Sequence, residues 1–580
     1  MPATLTQKHA EHTRDPRPLP TRQQERLQQL KNEYNQGWRS HHELLFENFL
    51  PFGGRFFVDD RNVGDRRHGT IIDSTPLHSV RTLAAGLMSG ATSPARVWFR
   101  LRLKQAELNE DPAVQAWLSA ANEIMLAWIA NSNLYHELHR GYEEMAVCGT
   151  SIIVLLPDDE SVFHAYGATA GQYFLDADAR GKINTCYREF QLTVAQVVRE
   201  FGFDNCPGWV KRAFNDEEFG TEVHVCHAIE PNDDRYVEGS ALKEQLRFRS
   251  TYFVWGETEK ENDVGGQFLR DGGFDEFPVL AFRWNVSGGD IYGNSPGMES
   301  LGDAIQLQHE QERKSENIDL QTRPPLQVPP SLKHHEVDGE AGGITTVPNG
   351  GRESGIRTLF ETRLQLDHLR EDIEDVRMRI RRTMFVDLFI MLQQIDKTMT
   401  AREVIQRQEE KLLMLGPMLE RLFDDGLKPL IDLIFYYLAE AGMFPPPPEQ
   451  LATAELDVQF VSPLAQAQRG IGINAIDRFL QTIGALGSLK PNALDVLDED
   501  ETARHYADIL GIDPDLLKDP EVIARIRADR AKQQAALEQA DALQKVTGAQ
   551  KNVADAAAAA PVDAITQATG YSNPNAAVGV

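Results

Sequence analysis

Cysteine is scarce in this chain: 580 residues hold four, Cys148, Cys186, Cys206 and Cys226, and no two form a C-x-x-C pair. Such spacing excludes a disulfide framework and argues against a structural zinc site, leaving four buried free thiols in a reducing compartment as the expectation. Long apolar runs are missing too. No window approaches the roughly 20 uninterrupted apolar residues of a membrane span. The nearest are Met384–Leu392, broken by Asp387, and Leu427–Phe444, broken by Lys428, Asp432 and Glu440. The N-terminal MPATLTQKHAEHTRDPRP is polar and has no apolar centre, so it does not read as a secretory signal. A soluble chain with no membrane partner is expected. Excess positive charge is also lacking. Lys and Arg number 59 against 87 Asp and Glu, for a net charge of −28. The molecule as a whole therefore repels nucleic acid and anionic membranes, and any DNA contact must be local or weak.

Catalytic motifs are absent as well. Gly86 and Gly90 stand four apart with no Lys-Ser/Thr after them, so the phosphate cradle of a Walker loop is not formed. Their spacing instead makes one helix face small, which lets a neighbouring backbone approach closely. The pairs Gly265-Gly266, Gly272-Gly273, Gly288-Gly289 and Gly350-Gly351 read as turns, and none belongs to a G-x-G-x-x-G fingerprint. Sixteen histidines include no H-E-x-x-H; His334-His335 are adjacent in a Pro-rich segment, where neighbours point apart. There is no G-x-S-x-G elbow. The acidic groups Glu371-Asp372, Glu374-Asp375 and Asp498 to Glu501 read as solvated faces. No catalytic residue, metal or cofactor is assigned, and the chain is not read as an enzyme.

What is present is an α+β pattern. Apolar residues at helical spacing run from about Arg22 to Leu50, and Pro51 to Gly69 reads as a loop. Helices are predicted over Pro76–Ser89, Pro112–Ser132 and Tyr135–Val147. The period then changes to that of strands. Ser151–Pro157, two strands within Tyr173–Thr193 joined at Ala179-Arg180-Gly181, and the segments VHVCHAIEP, RFRSTYFVWGE and FPVLAFRWNV form a mostly antiparallel block. A short helix near Val194–Phe201 interrupts it.

After Gly288 the chain turns helical. A long helix opens at Ser295-Pro296 and runs to about Gln321. A segment dense in Pro and Gly follows, from Pro324 to Gly355. In a second long helix Leu366, Leu369, Ile373, Val376 and Ile380 step by three and four, the spacing of a packing seam. Its end carries Arg377, Arg379, Arg381 and Arg382, which suit the helix dipole or a polyanion. The stretch Met384–Thr400 holds three methionines, either core or a soft, adaptable loop. A third helix, kinked at Gly416-Pro417 and Pro429, ends at the prolines from Pro445. From about Lys532 the tail is rich in Ala and Gln and reads as a helix that fades out. In LAAGLMSGATSPARVWFRLRL, Val97, Phe99, Leu101 and Leu103 should face one side of a strand, and Arg96, Trp98, Arg100 and Arg102 the other.

This order of parts resembles the portal proteins, or head-to-tail connectors, of tailed bacteriophages, the short-tailed branch in particular. The stretches that carry the likeness are LAAGLMSGATSPARVWFRL, YGNSPGMESLGDAIQLQ, MTAREVIQRQEEK and FVSPLAQAQ. The resemblance implies a dodecameric ring at one capsid vertex of the virion, assembled in the host cytoplasm, with double-stranded DNA passing through its centre. By that resemblance residues 1–295 form the wing, 296–321 the first stem helix and 322–361 the clip. Residues 362–384 are the second stem helix, 385–400 the tunnel loop, 401–464 a kinked long helix of the wing, and 465–580 the crown and Ala-rich tail. Met384, Met391, Lys397, Met399, Arg377 and Arg381 would face the DNA channel. Lys333, His334, His335 and Arg352 of the clip would meet the terminase large subunit and tail adaptor proteins, and other surfaces would meet capsid and scaffold proteins. Leu366, Leu369, Ile373, Val376 and Ile380 would pack between subunits. Two other readings stay open at this point, a subunit of a nucleic-acid-processing enzyme and a scaffold of long helices with no DNA partner.

Overall fold

The computed structural model describes residues 19–51, 71–105, 108–109, 111–255, 268–322, 326–327, 357–358, 366–393, 416–449, 451, 456–465, 479–485, 500, 502 and 520–559. It divides into two compact units, residues 1–479 and 480–580.

The first unit opens with helices α1 (Leu19–Gly37) and α2 (Arg39–Phe49). A single helical stretch was expected here; the break falls at Gly37-Trp38, where glycine is a poor helix former. Helix α3 (Thr75–Ala91) starts with Pro76 in its first turn, and strand β1 (Phe99–Leu103) follows it. Helix α4 (Pro112–Asn131) is capped by Asp111, whose carboxylate accepts the backbone N–H of Ala113 at 2.8 Å. Helix α5 (Leu134–Cys148) ends at Gly149 with φ of 74°. A Cβ there would also lie 2.0 Å from the carbonyl oxygen of Gly293, so both backbone shape and close approach require glycine.

Two antiparallel sheets follow. Their strands are β2 (Thr150–Asp158), β3 (Val162–Ala168), β4 (Tyr173–Ala177), β5 (Ile183–Thr193), β6 (Glu222–Pro231), β7 (Phe248–Val254), β8 (Arg270–Phe274) and β9 (Val279–Arg283). One sheet has the order β3-β2-β9, the other β4-β5-β6-β7-β8; β1 stands apart from both. The turn joining β4 and β5 sits at Gly181, as expected, with its N–H on the Asp178 carbonyl at 2.9 Å. Helix α6 (Val194–Phe201) begins with a capping box made by Thr193 and Gln196. Helix α7 (Gly208–Asn215) joins α6 over Val223, Val225 and Tyr252. Strands β3 and β8 were not foreseen. FHAYGA and RDGGF lack the apolar alternation that marks a strand.

The long helix α8 (Pro296–Thr322) matches its expected span. Strands β10 (Leu326–Gln327) and β11 (Arg357–Thr358) pair antiparallel. Helix α9 (Leu366–Thr383) is followed by Phe385 at φ 54° and by helix α10 (Val386–Gln393). The expected irregular loop from Phe385 is therefore helical over eight residues. Asp387 interrupts the apolar pattern but lies exposed, so the stretch turns Val386, Leu388 and Phe389 inward as a core helix. Helical backbone at 416–421 widens into a π-helix at Leu422–Leu427 and returns to α-helix α11 (Lys428–Glu440). The distortion sits just before Pro429, which has no N–H to give the preceding turn. Strand β12 (Leu456–Phe460) pairs with β1 in the register Phe99↔Phe460 to Leu103↔Leu456. In the second unit, α12 (Pro520–Ala559) is a 40-residue helix whose described side chains are exposed except for the half-buried Ile523.

The largest core gathers α2 to α5, β1 to β3, β9, α8 and α10 with the 416–440 region and β12. Gly86 and Gly90 do serve close packing, though of side chains and not of a second backbone: a Cβ on Gly86 would fall 2.2 Å from the Phe389 ring, and one on Gly90 2.6 Å from Leu464. Trp98 corrects the expected strand faces. It is fully buried, with its Nε1–H on the Tyr135 hydroxyl at 3.1 Å, while Val97 is exposed. The alternation holds from Phe99 onward, where pairing with β12 fixes the strand; before it the chain is still turning. All four cysteines are free and buried. Among the described residues no helix is long and apolar enough to cross a membrane.

Gly86→Ala should lower stability by about 1–3 kcal/mol, since the Phe389 ring must move to admit a methyl group. Gly302→Ala, in α8 with open space around it, should instead gain about 0.5–1 kcal/mol. Urea denaturation of both variants checks the contrast.

Candidate functional site at the paired helices

The apolar stripe of α9 finds its partner inside the chain. Ile373, Val376 and Ile380 are buried against Leu307 of α8, with Leu369 packed beside them. Arg379 near the end of α9 reaches Asp303 near the start of α8 at 3.6 Å, so the two helices run antiparallel. The expectation that these residues pack between subunits is thereby corrected for Ile373, Val376 and Ile380. Each is 1% exposed or less within one chain, because α8 offers a complementary surface at hand. Leu369 is only half-buried on the same seam. Leu366 lies on α9, and its side chain is outside the described residues.

Asp73, in the segment entering α3, ties both helices to the main body. Its Oδ2 accepts two bonds from Arg377 of α9, at 2.7 and 3.0 Å, and one from Gln311 of α8 at 2.9 Å. Its Oδ1 accepts from the Thr75 hydroxyl at 2.6 Å and the Thr75 N–H at 2.9 Å. Gln308 completes the clasp: its Oε1 accepts the N–H groups of Ile72 and Asp73, and its Nε2 donates to the Asp73 carbonyl. Burial pushes the Asp73 carboxyl up, but the Thr75 bonds and the Arg377 guanidinium together outweigh it and hold the group below its usual range. The same contacts, the Asp73 bond foremost, raise Arg377.

The basic end of α9 is thus mostly compensated within the chain. Arg377 was expected on a channel wall, but its charge is committed to Asp73 and Glu374. Arg381 sits 3.5 Å from Glu374, and Arg379 reaches both Asp303 and Asp375. These pairings follow from Glu374 and Asp375 lying one or two turns before the arginines on the same helix. Arg382 differs. It is exposed and has no carboxylate partner among the described residues.

Met384 is a correction of the same kind. It is fully buried in the main core, held where α9 ends and the chain turns at Phe385. A buried thioether fills the core and cannot line a channel. The backbone of Met391 lies on α10, with its side chain outside the described residues; Lys397 and Met399 lie outside them altogether. So do Lys333, His334, His335 and Arg352.

One cluster invites a metal reading. Ligand atoms of Glu189, His224 and Cys226 lie within 4.8 Å of one another. Lys31 Nζ, however, already holds both Glu189 oxygens at 3.1 and 2.8 Å, and burial pushes the Cys226 thiol well up. A neutral thiol and a paired carboxylate make a poor ligand set.

The Asp73 clasp went unread in the sequence. Its one local signal is Asp-Ser-Thr-Pro at a helix start, a capping pattern that says nothing of distant partners; Arg377 is 304 positions away.

The family described as bacteriophage head to tail connecting protein matches residues 21–517. A probable portal protein of Bordetella phage BPP-1 is 47% identical over 514 residues, covering 88% of this chain and 91% of that one. The portal protein of Salmonella phage epsilon15 is 39% identical over 509 residues, covering 87% and 90%. Among solved structures, a chain from the virion of a native gene transfer agent particle is a distant likeness. Its TM-score is 0.35 at 12% identity, covering 88% of this chain and 100% of that one.

Asp73→Asn should cost about 1.5–3 kcal/mol at neutral pH, the worth of hydrogen bonds to a charged group. The folded carboxyl titrates below its ordinary value. Its contribution is therefore full above the ordinary carboxylate range and is lost as pH falls through the lower folded value. Denaturation at a series of pH values should show the wild type losing this advantage over Asp73→Asn only on acidification.

Proposed function

The chain belongs to the bacteriophage head to tail connecting family, the portal proteins, and from that premise we propose that it forms a dodecameric ring through which double-stranded DNA is packaged and ejected. The family's role is structural and not catalytic, a portal component of the virion. The observation that most supports the conduit is the charge arrangement of α9. A net charge of −28 repels DNA on average, and internal pairing engages Arg377, Arg379 and Arg381, three of the four arginines at the end of α9. A channel that must let DNA slide needs weak, brief contacts, because each free cation on a phosphate strengthens binding and its salt dependence. The paired α8 and α9 would be the stem, and the sheets with α3 to α5 the wing. Residues 322–361 would be the clip that meets the terminase large subunit and tail adaptor proteins. Capsid and scaffold proteins would bind the wing, and assembly would take place in the host cytoplasm.

Negative-stain electron microscopy of the purified chain tests the ring. Class averages should show closed rings with a central hole. A population of monomers and dimers at concentrations well above those used for the grids would contradict it.

A further inference from the structure

Arg188 of β5 is a buried cation without a counter-charge among the described residues. It lies across the sheet from His227 of β6, which in turn lies across from Tyr252 of β7. Only 9% of the residue is exposed. Its Nε donates to His227 Nδ1 at 3.0 Å. Guanidinium nitrogens only donate, so His227 carries its proton on Nε2, which bonds the Ser250 hydroxyl at 2.9 Å. The imidazole is neutral: burial, with Arg188 and Arg270 nearby, pushes its titration well down. It stacks on Tyr252 at 3.8 Å with the rings 10° from parallel. The guanidinium itself lies close to two aromatic rings, 5.3 Å from Tyr166 of β3 and 5.1 Å from Phe190.

Among the described residues nothing negative completes this arrangement. Arg270, at the far end of the same row, is paired with Glu200 at 3.1 Å. Arg188 has no ion pair and no acceptor for its terminal nitrogens among the described residues. Aromatic faces attract a cation but do not satisfy its N–H groups. The terminal nitrogens are not sealed in the interior, so a partner from outside can reach them. Its position explains how one could. This face of the five-stranded sheet carries Tyr173, packed with Ile152 and Val154 of the three-stranded sheet, in one core and Tyr252, packed with α6 and α7, in another. Arg188 falls between them, and Tyr166 beside it is 43% exposed. The result is an ordered seam: His227 fixes the guanidinium at Nε, two rings lie close to it, and the planar fork of terminal nitrogens is left for a planar acceptor.

We propose that this seam is a docking site for a carboxylate from a second copy of the chain, the neighbouring subunit of the ring; the proposal rests on the ring reading above. With 87 acidic against 59 basic residues, every copy supplies carboxylates in excess. A carboxylate in the fork would form two parallel charge-assisted bonds and fix the angle between adjacent wings.

The test is assembly of full-length protein followed by mass photometry across a concentration series. Arg188→Met keeps the length of the side chain and removes its charge. It should raise the concentration for half-assembly at least about tenfold, while Arg188→Lys recovers part of the loss. Thermal melting of the unassembled chain controls for folding. Should Arg188→Met melt early, Tyr166→Ser, at an exposed position, removes one wall of the seam and should weaken assembly in the same direction. Variants that fold and assemble at the wild-type concentration overturn the proposal and leave the ring intact, including the case in which they lose only DNA or another protein. A wild-type chain that closes no rings overturns both.

Discussion

The arrangement of the long helices depends on one carboxylate. Asp73 gathers Arg377 from α9, Gln311 from α8 and its own Thr75 into a single buried clasp, while Gln308 holds the adjoining backbone. Apolar packing between α8 and α9 fixes how the helices face each other, but a seam of Leu307, Ile373, Val376 and Ile380 is small. The start of α8 is seated in the main core through Leu301 and Ala304, and hydrogen bonds of defined direction to the buried Asp73 tie the far part of the pair to it. These are also the bonds whose loss leaves the largest unsatisfied cost.

That clasp also changes what the basic end of α9 can do. Four arginines in six residues read as a band of positive charge. In the folded chain Arg377 serves Asp73, and Arg379 and Arg381 lie against carboxylates of α8 and of α9 itself. The charge that reaches solvent uncompensated is smaller than the sequence count. For a proposed DNA conduit this is an advantage, since it limits adhesion without making the wall uniformly repulsive.

Much of the fold was legible where local chemistry decides it. Helix α6 was legible as a short helix near Val194–Phe201, the β4–β5 turn from Gly181, and the span of α8 from Ser295-Pro296. The small face at Gly86 and Gly90 was readable as a packing surface, but not its occupants, Phe389 and Leu464, which lie hundreds of positions away. The stripe on α9 was equally legible as a seam; periodicity gives the face and not the chain that covers it. Met384 illustrates the limit most clearly. Methionine suits both a compliant loop and a core, and only its tertiary neighbours choose between them. The family itself was legible from the order of parts, because that order reflects a whole architecture and not any single residue.

DNA in the proposed channel would meet a wall on which Arg377, Arg379 and Arg381 are engaged by carboxylates and Arg382 is left to touch it. Site-specific photo-crosslinking in DNA-filled particles measures this directly, with the reactive group placed in turn at positions 377, 382 and 384. Crosslinks to DNA from 382, and little or none from 377 and 384, are the predicted result. Strong crosslinking from 377 or 384 with none from 382 would contradict it.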